Sequence, residues 1–161
     1  MAVDRQEHLN DVLETHRMAH INELIDKYKI KRDEVKEALE ENYTSDIYSP
    51  LNSGSFAKST AINSKFDLDI VVPYKKNSFD TLENMFDNLF DFLYEKYNEQ
   101  ATVRKQKVSI GIEFYSDEDG DVISLDIVPG RELNQDQYLD DKNMNLFVNS
   151  KYGLLSEKTY I

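Results

Sequence analysis

The stretch Leu51–Tyr74, LNSGSFAKSTAINSKFDLDIVVPY, decides the fold. Asn52-Ser53-Gly54-Ser55 reads as a turn, and Phe56–Ile62 as one or two helical turns behind it. Asn63–Lys65 then lead into a strand over Phe66–Val72 that Pro73 terminates. Successive side chains of a strand point to opposite faces. Asp67 and Asp69 therefore share one face, and Leu68, Ile70 and Val72 share the other, which can be buried. Two carboxylates held together on a rigid sheet repel each other unless positive charge sits between them, and a divalent cation is the natural candidate.

Upstream, residues Asp4–Tyr28 predict a long helix, with Leu9, Val12, Leu13, Ile21, Leu24, Ile25 and Tyr28 at three- and four-residue spacings. A second helix is expected over Asp33–Asn42, with Val35, Ala38 and Leu39 inward and the KYKIKRDE segment as the joint. His16 and His20 lie on the stripe of Leu9 and Leu24. Their spacing suits zinc, but no acidic or third ligand is placed to complete a site, so partly buried, hydrogen-bonded histidines are expected. Ile47–Leu51 is a short strand, with Pro50 at its edge or end.

Downstream, Ser78 or Asp80 is expected to cap a third helix, with Glu83 as the capping-box partner of Asp80. Its stripe of Phe79, Leu82, Phe86, Leu89, Phe90, Leu93 and Tyr97 is a core face that covers one side of the sheet. Val103–Lys105 form a short strand. Val108, Ile110, Ile112 and Phe114 then alternate with Ser109, Gly111 and Glu113 as a half-buried strand. The acidic turn Asp117–Gly120 follows, and Val122–Val128 returns antiparallel. The turn resembles part of a calcium loop, but its glycine falls one position early and no glutamate closes it, so a solvated hairpin is expected. In the return strand Ile123, Leu125 and Ile127 face one way and Ser124 and Asp126 the other. A lone carboxylate in an apolar strand calls for an arginine or a metal. Pro129-Gly130 ends this strand, and Leu146–Val148 and Lys158–Ile161 are the last pair of short strands.

The 161 residues are 40% hydrophobic, enough for one compact domain with a core. A net charge of −12, from 31 acidic against 19 basic residues, argues against a broad nucleic-acid-binding surface. It leaves room for a small nucleotide bound through metal ions, because the cations carry the positive charge. The chain has no cysteine, no signal-peptide core and no apolar run of membrane-spanning length, so a cytoplasmic location is the default.

Combined in order, these pieces point to one chemistry. A Gly-Ser turn entering a helix offers backbone amides to phosphate oxygens. Paired aspartates follow, and a third sits on a distant strand. Three carboxylates beside a phosphate site are what two-metal phosphoryl transfer requires. GS and D-x-D are each common alone, and the order and local structure carry the signal.

GSFAKSTAINSKFDLDIVV resembles the signature of the DNA polymerase β-like nucleotidyltransferase superfamily. It is most similar to the branch of bacterial cyclic-oligonucleotide synthases, cyclic GMP-AMP synthase and oligoadenylate synthetase. LDIVPG at Leu125–Gly130 is similar to the segment that holds that branch's third carboxylate, and the likeness runs from Asp4 to Gly130. The resemblance implies an α+β fold, a mixed and mostly antiparallel sheet covered by helices with a long N-terminal helix. It implies that Gly54 and Ser55, with Lys58 and Thr60, hold a nucleoside triphosphate, and that Asp67, Asp69 and Asp126 are the catalytic carboxylates that hold two Mg2+ or Mn2+ ions. Asp126 would also help deprotonate the attacking hydroxyl. Ser59 stands where the branch commonly has glycine. Lys58 replaces the more usual arginine, which keeps the charge and loses a bidentate contact.

The expected function is therefore the core of a second-messenger synthase that joins nucleoside triphosphates, releases pyrophosphate and serves anti-phage signalling. Relatives continue into a C-terminal helical lobe, so residues 1–161 are expected to be a catalytic core without it, with dimerisation favoured by the exposed seam. Two other readings are a transferase that modifies a protein or RNA and a catalytically silent nucleotide-binding module. The three carboxylates argue against the latter.

Overall fold

The computed structural model describes residues 2–53, 68–135, 138–149 and 159–160. One helix, α1 (Ala2–Tyr43), replaces the two helices and joint expected from the sequence. Nothing in it breaks a helix: residues 2–43 contain neither glycine nor proline. The buried stripe Leu24, Tyr28, Val35, Leu39 and Tyr43 runs straight through KYKIKRDE. The apolar pattern nearer the N-terminus does not mark a core face, since Val12 and Leu13 are 38% and 60% exposed. His16 and His20 are likewise exposed rather than partly buried.

The sheet follows. Strand β1 (Leu51–Ser53) begins after Pro50, so Asn52 and Ser53 belong to a strand and not to the expected turn, while Ile47 makes only a single bridge to Tyr74. Strand β2 (Asp69–Tyr74) is followed by a 3-10 turn at Lys76–Ser78 and helix α2 (Leu82–Tyr97). The cap of α2 is Thr81, not Ser78 or Asp80; its hydroxyl accepts from the Asn84 N–H at 3.0 Å. Strands β3 (Ala101–Lys105), β4 (Ile110–Phe114) and β5 (Ser124–Glu132) come next, then a short helix α3 (Tyr138–Asp141) and strands β6 (Met144–Leu146) and β7 (Thr159–Tyr160).

The spatial order is β1-β2-β5-β4-β3, with β6 joining β5 and β7 joining β6. Among the described residues, only β2 and β5 run parallel. The expected α+β class, with a mostly antiparallel sheet, helical cover and a long N-terminal helix, is the one observed.

Two prolines expected to end strands lie inside them. Backbone N–H groups alternate between the two edges of a strand. The Asp126 N–H donates to Leu68 O in the β2 direction, so the position of Pro129 faces the other edge. There β5 pairs with β4 as far as Ile127 and with β6 from Gly130, and the proline's missing donor falls in the gap between them. Pro73 faces the β1 edge, beyond the β1 ladder, and its carbonyl accepts from the Tyr48 N–H at 2.8 Å.

Strand alternation then sorts the sheet into two faces. Leu68, Ile70, Val72, Tyr74, Val103, Ile110, Ile112, Leu125 and Ile127 form one core with α1 and with the Met85, Phe86, Leu89 and Leu93 face of α2. The other face carries a small cluster of Val71, Tyr138 and Met144, and the polar residues described below.

No helix among the described residues is long and apolar enough to cross a membrane. Burial along α1 predicts an uneven response to truncation. Leu39→Ala should cost about 2–5 kcal/mol in denaturant unfolding, and Leu13→Ala less than about 0.5 kcal/mol.

Candidate active site

The pairing of β2 with β5 sets Asp69 directly opposite Asp126. In a parallel ladder, paired residues present their side chains to the same face. Asp69 and Asp126 are both half-buried there, while their strand neighbours Leu68, Ile70, Leu125 and Ile127 fill the core on the other side. The register continues the row outward to Ser53 on β1 and to Gly111 on β4, then Arg104 on β3. Arg104 is exposed and lies 3.7 Å from Glu113, whose carboxylate offsets its charge.

Two of the residues expected at the site are therefore brought together across a strand pair. Asp67, Gly54, Ser55, Lys58 and Thr60, together with the Phe56–Ile62 segment, lie outside the described residues. Arginine compensation of Asp126 from its own strand is not what the fold provides: Arg131 Nη1 donates to Phe79 O at 3.1 Å.

The pair suits a hard divalent cation. Ionised carboxylates offer only acceptor oxygens, and two of them partly withdrawn from water gain most from an ion that satisfies both.

A second acidic group has a different character. Asp117, Asp119 and Asp121 bring one oxygen each within 4.8 Å of one another on the turn between β4 and β5. The ammonium of Lys27 on α1 reaches all three, at 2.7, 2.9 and 2.7 Å. These bonds, with Asp117 first, hold Lys27 well above the ordinary lysine range, and the Lys27 contact holds the Asp117 carboxyl below the ordinary carboxylate range. Asp117 Oδ1 also accepts from the Asp119 and Asp121 N–H groups at 2.9 and 3.0 Å, and Gly120 closes the turn at φ 81°. The expected solvated hairpin is thus a clasp on α1. Beside it, a cavity of about 370 Å³ is lined by Lys27, Ile30, Lys31, Phe114, Tyr115 and Ile123. It lies on the helix-covered face, away from Asp69 and Asp126.

Lys27 was legible only as one lysine in a charged segment. Its partners are some 90 residues away in sequence, beyond any local pattern. Gly111 did carry a signal, since an isolated glycine inside an alternating strand marks a close approach by another group.

Several comparisons bear on this geometry. Residues 5–151 match the family model described as the Second Messenger Oligonucleotide or Dinucleotide Synthetase domain. No curated protein matches the chain. Among solved structures, the Elizabethkingia meningoseptica CdnE cyclic dinucleotide synthase with GTP and Apcpp aligns at TM-score 0.60 and 15% identity, over 84% of this chain and 48% of that one. The STING-associated CdnE c-di-GMP synthase of Capnocytophaga granulosa aligns at TM-score 0.57 and 16% identity, over 86% and 42%. E. coli CdnC with ATP aligns at TM-score 0.53 and 22% identity, over 84% and 42%. At these identities the likeness is one of fold, and the chain spans less than half the length of each.

The clasp predicts a pH- and salt-dependent contribution to stability. The depressed Asp117 group stabilises the fold above its unfolded-state value, and that contribution is lost as pH falls through its lowered folded value. Lys27→Ala should lower the Tm near neutral pH, with the deficit shrinking in strong acid and at high salt, as followed by thermal denaturation.

Proposed function

The chain belongs to the Second Messenger Oligonucleotide or Dinucleotide Synthetase family, and on that premise we propose that it is the catalytic core of a metal-dependent nucleotidyltransferase that joins nucleoside triphosphates with release of pyrophosphate. The observation that carries this reading is the parallel register that seats Asp69 against Asp126 on the face of the sheet opposite the main core. Two opposed, half-buried carboxylates repel each other, and a cation between them relieves that repulsion.

In this reading Asp69 and Asp126, with Asp67, hold two Mg2+ or Mn2+ ions. Such ions neutralise a leaving pyrophosphate and make a hydroxyl more acidic. The backbone amides of Gly54 and Ser55 receive the triphosphate, and Lys58 and Thr60 add a positive charge and a hydroxyl beside it. The acceptor hydroxyl then faces the α-phosphorus. Its oxygen forms the new P–O bond, the bond to the β-phosphate bridging oxygen breaks, and pyrophosphate departs. A carboxylate oxygen of Asp126 takes the hydroxyl proton. The sheet's contribution is rigidity: both aspartates stand on backbones tied to each other by ladder hydrogen bonds, so their spacing survives thermal motion.

The product would be an oligonucleotide or dinucleotide second messenger, made in the cytoplasm and used in anti-phage signalling. Residues that read the bases would lie in the further helical lobe that the family resemblance implies.

Incubating the protein in its natural full-length context with nucleoside triphosphates and Mg2+ or Mn2+ should yield phosphodiester-linked products and pyrophosphate. No product and no nucleotide binding with any nucleotide mixture would overturn the reading. Asp69→Asn and Asp126→Asn should each reduce turnover by at least about 10³-fold, an expectation in line with loss of a metal ligand in this chemistry. In the metal-free protein the same changes should leave the Tm unchanged or raised, because repulsion is relieved. A large loss of metal-free Tm would make these aspartates structural.

A further inference from the structure

Gln106 stands in the turn between β3 and β4, and its side chain is tied down at one end. Its backbone N–H donates to Ser109 O at 2.9 Å, and Ser109 Oγ donates to its Oε1 at 2.6 Å. Ser109 is itself buried, at 8% exposure, so the carbonyl end of the amide has a fixed anchor. The Nε2 end, which carries two N–H donors, lies over Gly111. A Cβ at Gly111 would meet Gln106 Nε2 at 2.8 Å, Gln106 Cδ at 3.2 Å and Asp126 Oδ1 at 3.6 Å. The amide and the carboxylate therefore converge on the space that the missing side chain leaves. Any other residue at position 111 would occupy that space, although glycine weakens a strand interior.

We propose that Gln106 is a positioning residue for Asp126, and that Gly111 is there to admit it. The amide N–H makes no direct bond to Asp126, and through one bridging water it fixes the direction in which the carboxylate points. A neutral donor suits the task. It orients the carboxylate without cancelling the negative charge that a cation needs, as a lysine or arginine at this place would. Ser109 completes the chain of support by holding the amide from behind. The inference rests on Asp126 being a metal-holding carboxylate, as proposed above. Groups that orient a metal ligand from behind typically change metal affinity or activity 10–100-fold when removed.

The test is Mn2+ binding in the presence of a non-hydrolysable nucleoside triphosphate, followed by electron paramagnetic resonance with the Tm measured in parallel. The proteins compared are the parent, Asp126→Asn, Gln106→Ala, Gln106→Met, Gly111→Ala and the double variant Gln106→Ala/Gly111→Ala. Gln106→Met keeps the length and bulk of the side chain and removes the amide. Gln106→Ala and Gln106→Met should both weaken Mn2+ binding about 10–100-fold, and both should lower the Tm modestly by unpairing the buried Ser109 hydroxyl. Gly111→Ala should displace the flexible amide and match them, and the double variant should be no worse than the more affected single variant.

Parent-like binding by Gln106→Met, or losses that multiply in the double variant, would overturn the positioning role while loss of binding in Asp126→Asn keeps the metal site itself standing. Parent-like binding by Asp126→Asn would overturn both. Should Gly111→Ala fail to fold, the Gln106→Met result decides alone.

Discussion

The parallel pairing of β2 with β5 is the constraint on which the rest of the molecule depends. Among the described residues it is the one parallel contact in an otherwise antiparallel sheet, and it joins strands separated in sequence by α2 and the β3–β4 meander. A parallel pair needs a long crossover, and α2 supplies it with an apolar face already shaped for the sheet below. The register of that pair has no freedom. A slip of one residue by β2 would turn Ile70 and Val72 out of the core and bury Asp69 in it, and a slip by β5 would do the same to Leu125, Ile127 and Asp126. Hydrophobic burial on one face thus fixes the position of charge on the other.

The electrostatics follow from the same division. An acidic chain must accommodate carboxylates that lie close together, and this one does so at two places. At the turn, three aspartates share the Lys27 ammonium, which binds the hairpin end to α1. At the sheet's centre, Asp69 and Asp126 are held together by the backbone in spite of their charge. A cluster satisfied by a lysine serves as structure; a pair pressed together by a ladder is suited to an ion.

Much of this was legible in the sequence where the pattern was local. The Leu68, Ile70, Val72 alternation, the β4–β5 hairpin and the solitary Asp126 each report a side chain's face through a two-residue period, and all three faces are as expected. The single α1 was misread because a charged segment looks like a joint, although a run of good helix formers with Tyr28 and Val35 on one stripe has no physical reason to break. Pro73 and Pro129 were read as strand ends because a proline lacks a donor. Whether that donor is missed depends on which edge it faces, and that is a property of neighbours. The Lys27 clasp and the Gln106 approach to Gly111 are tertiary contacts, and only the glycine left a local trace. The sequence places Asp69 and Asp126 each opposite the apolar face of its own strand, and the fold adds the register between them.

The place where β5 exchanges β4 for β6 divides the sheet into two territories along one strand. Before Pro129, the ladder secures the aspartates; after it, Gly130–Glu132 carry β6, and β6 carries β7. The missing N–H at the seam means that few backbone bonds on that edge link the two. Lengthening, shortening or remodelling the β6–β7 side therefore puts little strain on the carboxylate register. Change beyond the seam leaves the alignment of Asp69 with Asp126 intact.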